Sequence, residues 1–337
     1  MRVVSAALAR LHIDPYIAAI LCTVGIAAMW PARGGVTGVL DLAGTIAITL
    51  LFFFYGARLS TTEALSGLRH WRLHAAISFV TFAVFPVLAL TCAVLVPEVL
   101  DEPLYAGVVF LCVLPSTVQS SITLTSIAKG NEAGAICSAS LSNLVGVVLT
   151  PVLVAVLISA GDGGFSLASV GDIMVRLLLP FLAGQAAQRW IGDRVRARRG
   201  LLGLYDRAVI LLVVYTAFSQ GVVSGVWSGL AVRQLVLLAL VIAGLLALAL
   251  GIAALLARAF GFSRADRVAI LFCGSQKSLA SGLPMATVLF AGAAVSTTVL
   301  PLMLYHQFQL LVCSWLAQRF AKRQEPRPVP EPAHATA

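Results

Sequence analysis

Lys277, in "LFCGSQKSLASGLPMATVLF" (271–290), is the only residue with a formal charge between Arg267 and Arg319. Around it stand Gly274, Ser275, Gln276 and Ser278, so one ammonium, one amide and two hydroxyls fall within five residues. A second polar cluster, Pro115, Ser116, Thr117, Gln119, Ser120 and Ser121, lies in "LPSTVQSSITLTSIAKG" (114–130), whose one charge, Lys129, falls at its far end. Side chains of these types can bind, and a serine or lysine can also serve as nucleophile or base, but only in a catalytic constellation. The sequence has no H-E-x-x-H, no G-x-S-x-G and no paired aspartates inside an apolar run. Ser278 beside Lys277 is a poor Ser-Lys dyad, because adjacent helical residues point about 100° apart. The six cysteines (Cys22, Cys92, Cys112, Cys137, Cys273, Cys313) lie in apolar stretches without a C-x-x-C pair and read as small buried hydrophobes. The expectation is a binding protein, not an enzyme, with no organic cofactor.

The elements that must position these residues are set by composition. Of 337 residues, 60% are hydrophobic and 11% charged, against about 25% charged in a soluble domain. Such a chain cannot cover a water-facing surface, and lipid is its expected surroundings. A helix needs about 20 apolar residues to cross the hydrocarbon layer. Candidate spans are 13–30, 37–56, 74–96, 104–128, 133–159, 168–190, 204–224, 234–257, 268–290 and 295–318. With the N-terminus in the cytoplasm, nineteen Lys and Arg fall on the cytoplasmic side and two, Arg33 and Arg233, on the other; Arg176 and Lys277 lie within spans. The net charge of +9 is then a mark of orientation, not of nucleic-acid binding. Both termini are expected in the cytoplasm, in a multi-pass protein of the cell (inner) membrane.

Ten spans divide into two halves of five, and an odd number per half makes duplicated halves inverted. Asp14 precedes Gln119 by 105 residues and Asp172 precedes Gln276 by 104, a hint of such a duplication. The fourth and ninth spans carry the two polar clusters and are the unusual ones. Pro115 removes a backbone donor and disfavours helix at Leu114, while Gly274 to Ser278 interrupts the ninth. Interrupted helices in lipid persist only where freed N–H and C=O groups face protein or a wet cavity, and matched interruptions in two halves point to a transporter's binding site. Lys277, tenth residue of its span, lies about 15 Å in, where an unpaired ammonium costs at least ~3 kcal/mol. Ser138, Ser142 and Asn143 of the fifth span are placed to line the same cavity, though helix–helix hydrogen bonding accounts for the serines equally well. His306 and Gln307 of the tenth are secondary candidates for ion or substrate contact, His306 also being readable as a satisfied core histidine.

The phrases "FFFYGARLS" (52–60), "LPSTVQSSITLTSIAKGNEAGAICSASLSNLVGVVLTP" (114–151) and "LFCGSQKSLASGLPMATVLF" resemble the bile acid:sodium symporter family, in its cotransporter-7-like branch. The resemblance implies an all-α polytopic fold of two inverted five-helix repeats, with the fourth and ninth helices broken and crossing near mid-membrane. It implies two sodium ions at the crossing. Pro115 and Ser120 match the family pattern in the fourth helix, and Gly274, Gln276 and Ser278 in the ninth. The family's glycines become Ser116 and Thr117 and its asparagine Ser121, while Phe272 replaces an acidic residue and Lys277 an asparagine. A site that has lost an anion and gained a cation repels two adjacent sodium ions. The Lys277 ammonium then either takes the place of at least one sodium, donating to Gln276, Ser120, Ser121 and freed carbonyls, or pairs with an anionic substrate.

The expected organisation is a cytoplasmic segment 1–12, a first repeat 13–160, a second repeat 165–321 and a disordered cytoplasmic tail 322–337. The expected function is secondary active transport of a small organic anion by alternating access, with membrane lipid as partner and sodium as the one candidate ion. The alternative is a non-transporting, regulatory membrane protein that affects calcium homeostasis.

Overall fold

The computed structural model describes residues 15–58, 70–158, 167–229, 231–290, 292 and 294–323. Segment 1–12, Asp14 and all of the tail after Arg323 lie outside the described residues. Helix is the only regular structure among the described residues. In chain order the helices are α1 (Pro15–Met29), α2 (Gly35–Arg58), α3 (Trp71–Leu95), α4 (Glu102–Val113), α5 (Gln119–Ile127), α6 (Glu132–Leu157), α7 (Leu167–Ala197), α8 (Arg199–Val223), α9 (Val232–Ala259), α10 (Arg264–Ser275), α11 (Leu279–Leu289) and α12 (Ala294–Lys322). Six stretches, in α2, α3, α6, α8, α9 and α12, are long and apolar enough to cross a bilayer unaided. The helix α7 overruns the expected 168–190 and continues through Gly192 to Ala197, its last turn carrying Arg194 and Arg196 where cations favour a helix C-terminus.

Two layers result. In one, α7 lies along α2 while α8 packs on α1 and α2; in the other, α12 packs on α4, α9 on α10 and α12, and α5 on α6, α10 and α12. Glycine sets the closest approach within the first layer. A Cβ on Gly56 would overlap the Phe181 carbonyl, and one on Gly184 the Phe53 carbonyl, so each helix offers a bare backbone to the other. The layers meet where α8 packs on α11 and α12 and α7 packs on α6 and α11. There the Ser296 hydroxyl donates to the Ala217 carbonyl, and Phe218 stacks on Trp227 at 4.8 Å.

At one end of the second layer Asn131 ties two connections together. Its amide N–H donates to the Ala265 carbonyl (3.0 Å), its Nδ2 to Asp266 (2.7 Å), and its Oδ1 caps α6 by accepting from Gly134 N (2.8 Å). Ser263 caps α10 in the same way. Thus α4–α5–α6 and α10–α11 are fixed to each other, and the interruptions after α4 and α10 come face to face.

Candidate functional site

The break between α4 and α5 follows from Pro115. It withholds an N–H, and Leu114 before it is extended (φ −72°, ψ 153°). The carbonyls of residues 111–116, stripped of their helical partners, find others. Leu111 O accepts from Leu114 N, Val113 O from the Thr150 hydroxyl (2.8 Å), Pro115 O from Ser278 N (2.9 Å) and Ser116 O from Asn143 Nδ2 (2.9 Å). Cys112 O and Leu114 O accept from Lys277 Nζ, at 2.7 and 2.8 Å. Ser116 N donates to the Ser142 hydroxyl (3.0 Å).

The break between α10 and α11 is extended at Gln276 (ψ 144°) and Ser278 (ψ 108°). Gln309 of α12 brackets the residue between them: its Oε1 accepts from Lys277 N (2.8 Å) and its Nε2 donates to Lys277 O (3.0 Å). Tyr305, one turn earlier, donates to Ser275 O (2.6 Å). Ser278 caps α11 through Ser281 N (3.1 Å), and the Ser281 hydroxyl donates to Asn143 Oδ1 (2.7 Å). Asn143 therefore holds both breaks at once. Close packing there depends on small residues: a Cβ on Gly146 would meet Pro115, and one on Gly282 would meet Leu114.

Lys277 is fully buried at 0% exposure. Its Nζ has a third acceptor, Thr81 O at 2.9 Å, and lies 4.0 Å from the centroid of the Phe85 ring. The availability of Thr81 O has a covalent cause. Residues 80–84 form a π turn in which Phe85 N donates to Val80 O. The next N–H in that register would belong to Pro86, which has none, so Thr81 O is left for Lys277. Three acceptors at hydrogen-bonding distance match the three protons of an ammonium, whereas a neutral amine has only two to give. The aromatic face adds a cation–π contact in a dry setting.

The second cluster is separate. Gln276 Oε1 accepts from the hydroxyls of Thr117 (2.7 Å), Ser120 (2.8 Å) and Ser121 (3.0 Å). This corrects one expectation: Lys277 does not donate to Gln276, Ser120 or Ser121, which bond to one another instead. With Lys277 N and O pinned by Gln309, the side chain leaves the opposite way, toward α3 and the end of α4.

Of the other expected residues, Pro115, Ser116, Thr117, Ser142, Asn143, Gly274, Ser275 and Ser278 come together at the paired breaks. Gly274 packs against Val80, and the Ser275 hydroxyl bonds back to Leu271 O. Ser138 does not join them; it bonds His74 Nδ1 at 2.7 Å. Gln119 opens α5 on its exposed side, and Gln307 stands outside the network. His306 Nδ1 meets Gln309 Nε2 at 2.9 Å. Thr81, Phe85, Cys112 and Gln309 were missed. The only trace of the bulge in the sequence is a proline five positions after a hydroxyl residue, Thr81 and Pro86, which does not by itself distinguish a π turn from a kink.

The cluster at Gln276 offers neutral oxygens only, and Phe272, where the resembled pattern carries an acidic residue, is buried.

Comparison with known proteins gives the family of the sequence. The family model described as the SBF-like CPA transporter family matches residues 14–322. The chain is 47% identical over 321 residues to "Uncharacterized protein PA2026" of Pseudomonas aeruginosa, covering 93% of this chain and 94% of that one. It is 44% identical over 313 residues to "Putative symporter YfeH" of Escherichia coli K12, with 93% and 94% covered. To "Sodium/bile acid cotransporter 7" of Rattus norvegicus it is 31% identical over 316 residues, with 92% and 93% covered.

Proposed function

The chain belongs to the SBF-like CPA transporter family, and from that membership and the paired breaks we propose that it is a secondary transporter of a small organic anion whose cycle does not run on two sodium ions. It is a multi-pass membrane protein; in this reading it sits in the cell (inner) membrane with ten spans, both termini cytoplasmic. Residues 13–160 and 165–321 form inverted repeats, α4–α5 and α10–α11 being the discontinuous fourth and ninth spans. The observation that carries the reading is the buried Lys277 ammonium, held by Thr81, Cys112 and Leu114 carbonyls beside the crossing. A cation that relatives with two sodium ions must take from solution is here part of the chain.

Alternating access is supported by an asymmetry between equivalent half-helices. The second half of the ninth span, α11, packs on α7 and α8 of the other layer and is buried over most of its length. The second half of the fourth, α5, packs on α6, α10 and α12, and leaves Val118, Gln119, Thr123 and Ser126 exposed. A structure closed on the α11 side and open on the α5 side is what one end-state of a rocking transporter presents.

The test begins with a stabilisation screen of small organic anions on the purified protein, followed by uptake of any stabilising anion into vesicles. Uptake that survives replacement of sodium supports the proposal. Dependence on two sodium ions per substrate rejects the ionic part. A stabilising anion that is never carried rejects transport and favours the regulatory alternative.

A further inference from the structure

The pocket around Lys277 Nζ has the make-up of an ion site in its own right. Its oxygens are backbone carbonyls, those of Thr81 (2.9 Å), Cys112 (2.7 Å) and Leu114 (2.8 Å), and the Phe85 ring closes it at 4.0 Å. None of these residues is among the positions expected to hold sodium. Each carbonyl is freed by something other than the lysine: Thr81 O by Pro86 and the π turn, Cys112 O and Leu114 O by the break at Pro115. Removing the side chain therefore leaves three convergent carbonyl dipoles and an aromatic face in a dry interior, an arrangement costly to leave without a cation.

The spacing selects among cations. Oxygens at these distances from a common centre suit ammonium, or potassium, the abundant alkali ion closest to it in size. Sodium is smaller and more strongly hydrated, so these oxygens would have to close in on it. The packing of α4 resists that, with Gly107 against α12 and the Leu114 side chain against Gly282. We propose that the Nζ pocket is a monovalent-cation site of the ammonium and potassium class, filled in this protein by a cation tethered to its own chain. The proposal rests on the reading that Lys277 stands in for an ion; it does not depend on which anion is carried, or on whether one is.

The test is chemical rescue of stability. Full-length Lys277→Ala is purified, and its unfolding temperature is measured in equal concentrations of ammonium, potassium, sodium and choline chloride. The expected result is a low unfolding temperature in choline and sodium that rises with the logarithm of ammonium concentration, and less steeply with potassium. The wild type shows no such difference between salts. Equal recovery in sodium, or no recovery in any salt, overturns the proposal. If Lys277→Ala does not accumulate, the wild type decides. The chain has three lysines, Lys129, Lys277 and Lys322. With 15N-labelled lysine, comparison with Lys129→Arg and Lys322→Arg assigns the Lys277 ammonium signal. Slow exchange of its protons with water is expected, and exchange as fast as that of a surface lysine overturns the proposal. Absence of anion uptake by the wild type, with salt rescue of Lys277→Ala intact, would overturn the transport reading alone.

Discussion

At the scale of the residue, Lys277 Nζ matches three protons to three carbonyls, and this makes the site unforgiving. Lys277→Met keeps the stem and leaves those carbonyls buried without donors, at about 1–3 kcal/mol each. A net destabilisation of roughly 3–5 kcal/mol is expected, as for other broken buried charge sites, read as a lower unfolding temperature of the purified protein. Lys277→Arg is expected to fail as well, because a planar fork cannot place protons on three oxygens arranged as a tripod. Gln309→Leu removes both bonds to the Lys277 backbone and should cost about 1–3 kcal/mol, whereas Gln307→Leu, outside the network, should stay within about 0.5 kcal/mol. A charge alone in a run of 51 residues otherwise apolar or neutral polar announces a buried, paired ammonium, so its importance was legible. Its partners were not. Main-chain carbonyls carry no residue identity, and only the register of α3 and the end of α4 decide which ones are free. The same limit explains why Gln276 was misassigned: its Oε1 accepts from the hydroxyls of Thr117, Ser120 and Ser121, a pairing across 155 or more positions, while its Nε2 is buried without an acceptor among the described residues.

At the scale of the element, Pro86 does work other than breaking a helix. Pro86→Ala would ordinarily improve a helix by up to about 3 kcal/mol. Here the new N–H would compete with Lys277 for Thr81 O, so little or no gain is expected in the wild-type background. In Lys277→Met the same change should stabilise, since it supplies the donor that variant lacks. A double-mutant cycle followed by thermal unfolding checks this, and equal effects in the two backgrounds would sever the link between the π turn and the ammonium. The break at 114–118 was readable from Pro115, and that at 276–278 from the glycine and polar run. The π turn at 80–84 was not, because a single proline in an apolar run is equally consistent with a simple kink. Gly56→Ala or Gly184→Ala should each cost about 1–3 kcal/mol by forcing α2 and α7 apart, measurable as loss of folded protein in the membrane fraction. Those glycines sit in apolar sequence where nothing local shows which of many glycines faces a bare backbone.

At the scale of the whole molecule, the apolar spans and short connections dictate helices stacked in two layers, while the interface between the layers depends on contacts between distant segments. The Ser296–Ala217 contact joins the two layers between α12 and α8. In alternating access it must open once per cycle. A disulfide between cysteines placed at 217 and 296 should therefore abolish uptake when oxidised and restore it when reduced, and uptake unaffected by the cross-link would contradict the rocking of one layer on the other. The central claim, that the protein carries its own cation, is tested most directly by the initial rate of uptake of a stabilising anion into vesicles, in sodium chloride and again with sodium wholly replaced by choline. The account predicts equal rates in the two solutions. A rate that vanishes without sodium and climbs with the square of its concentration would contradict it.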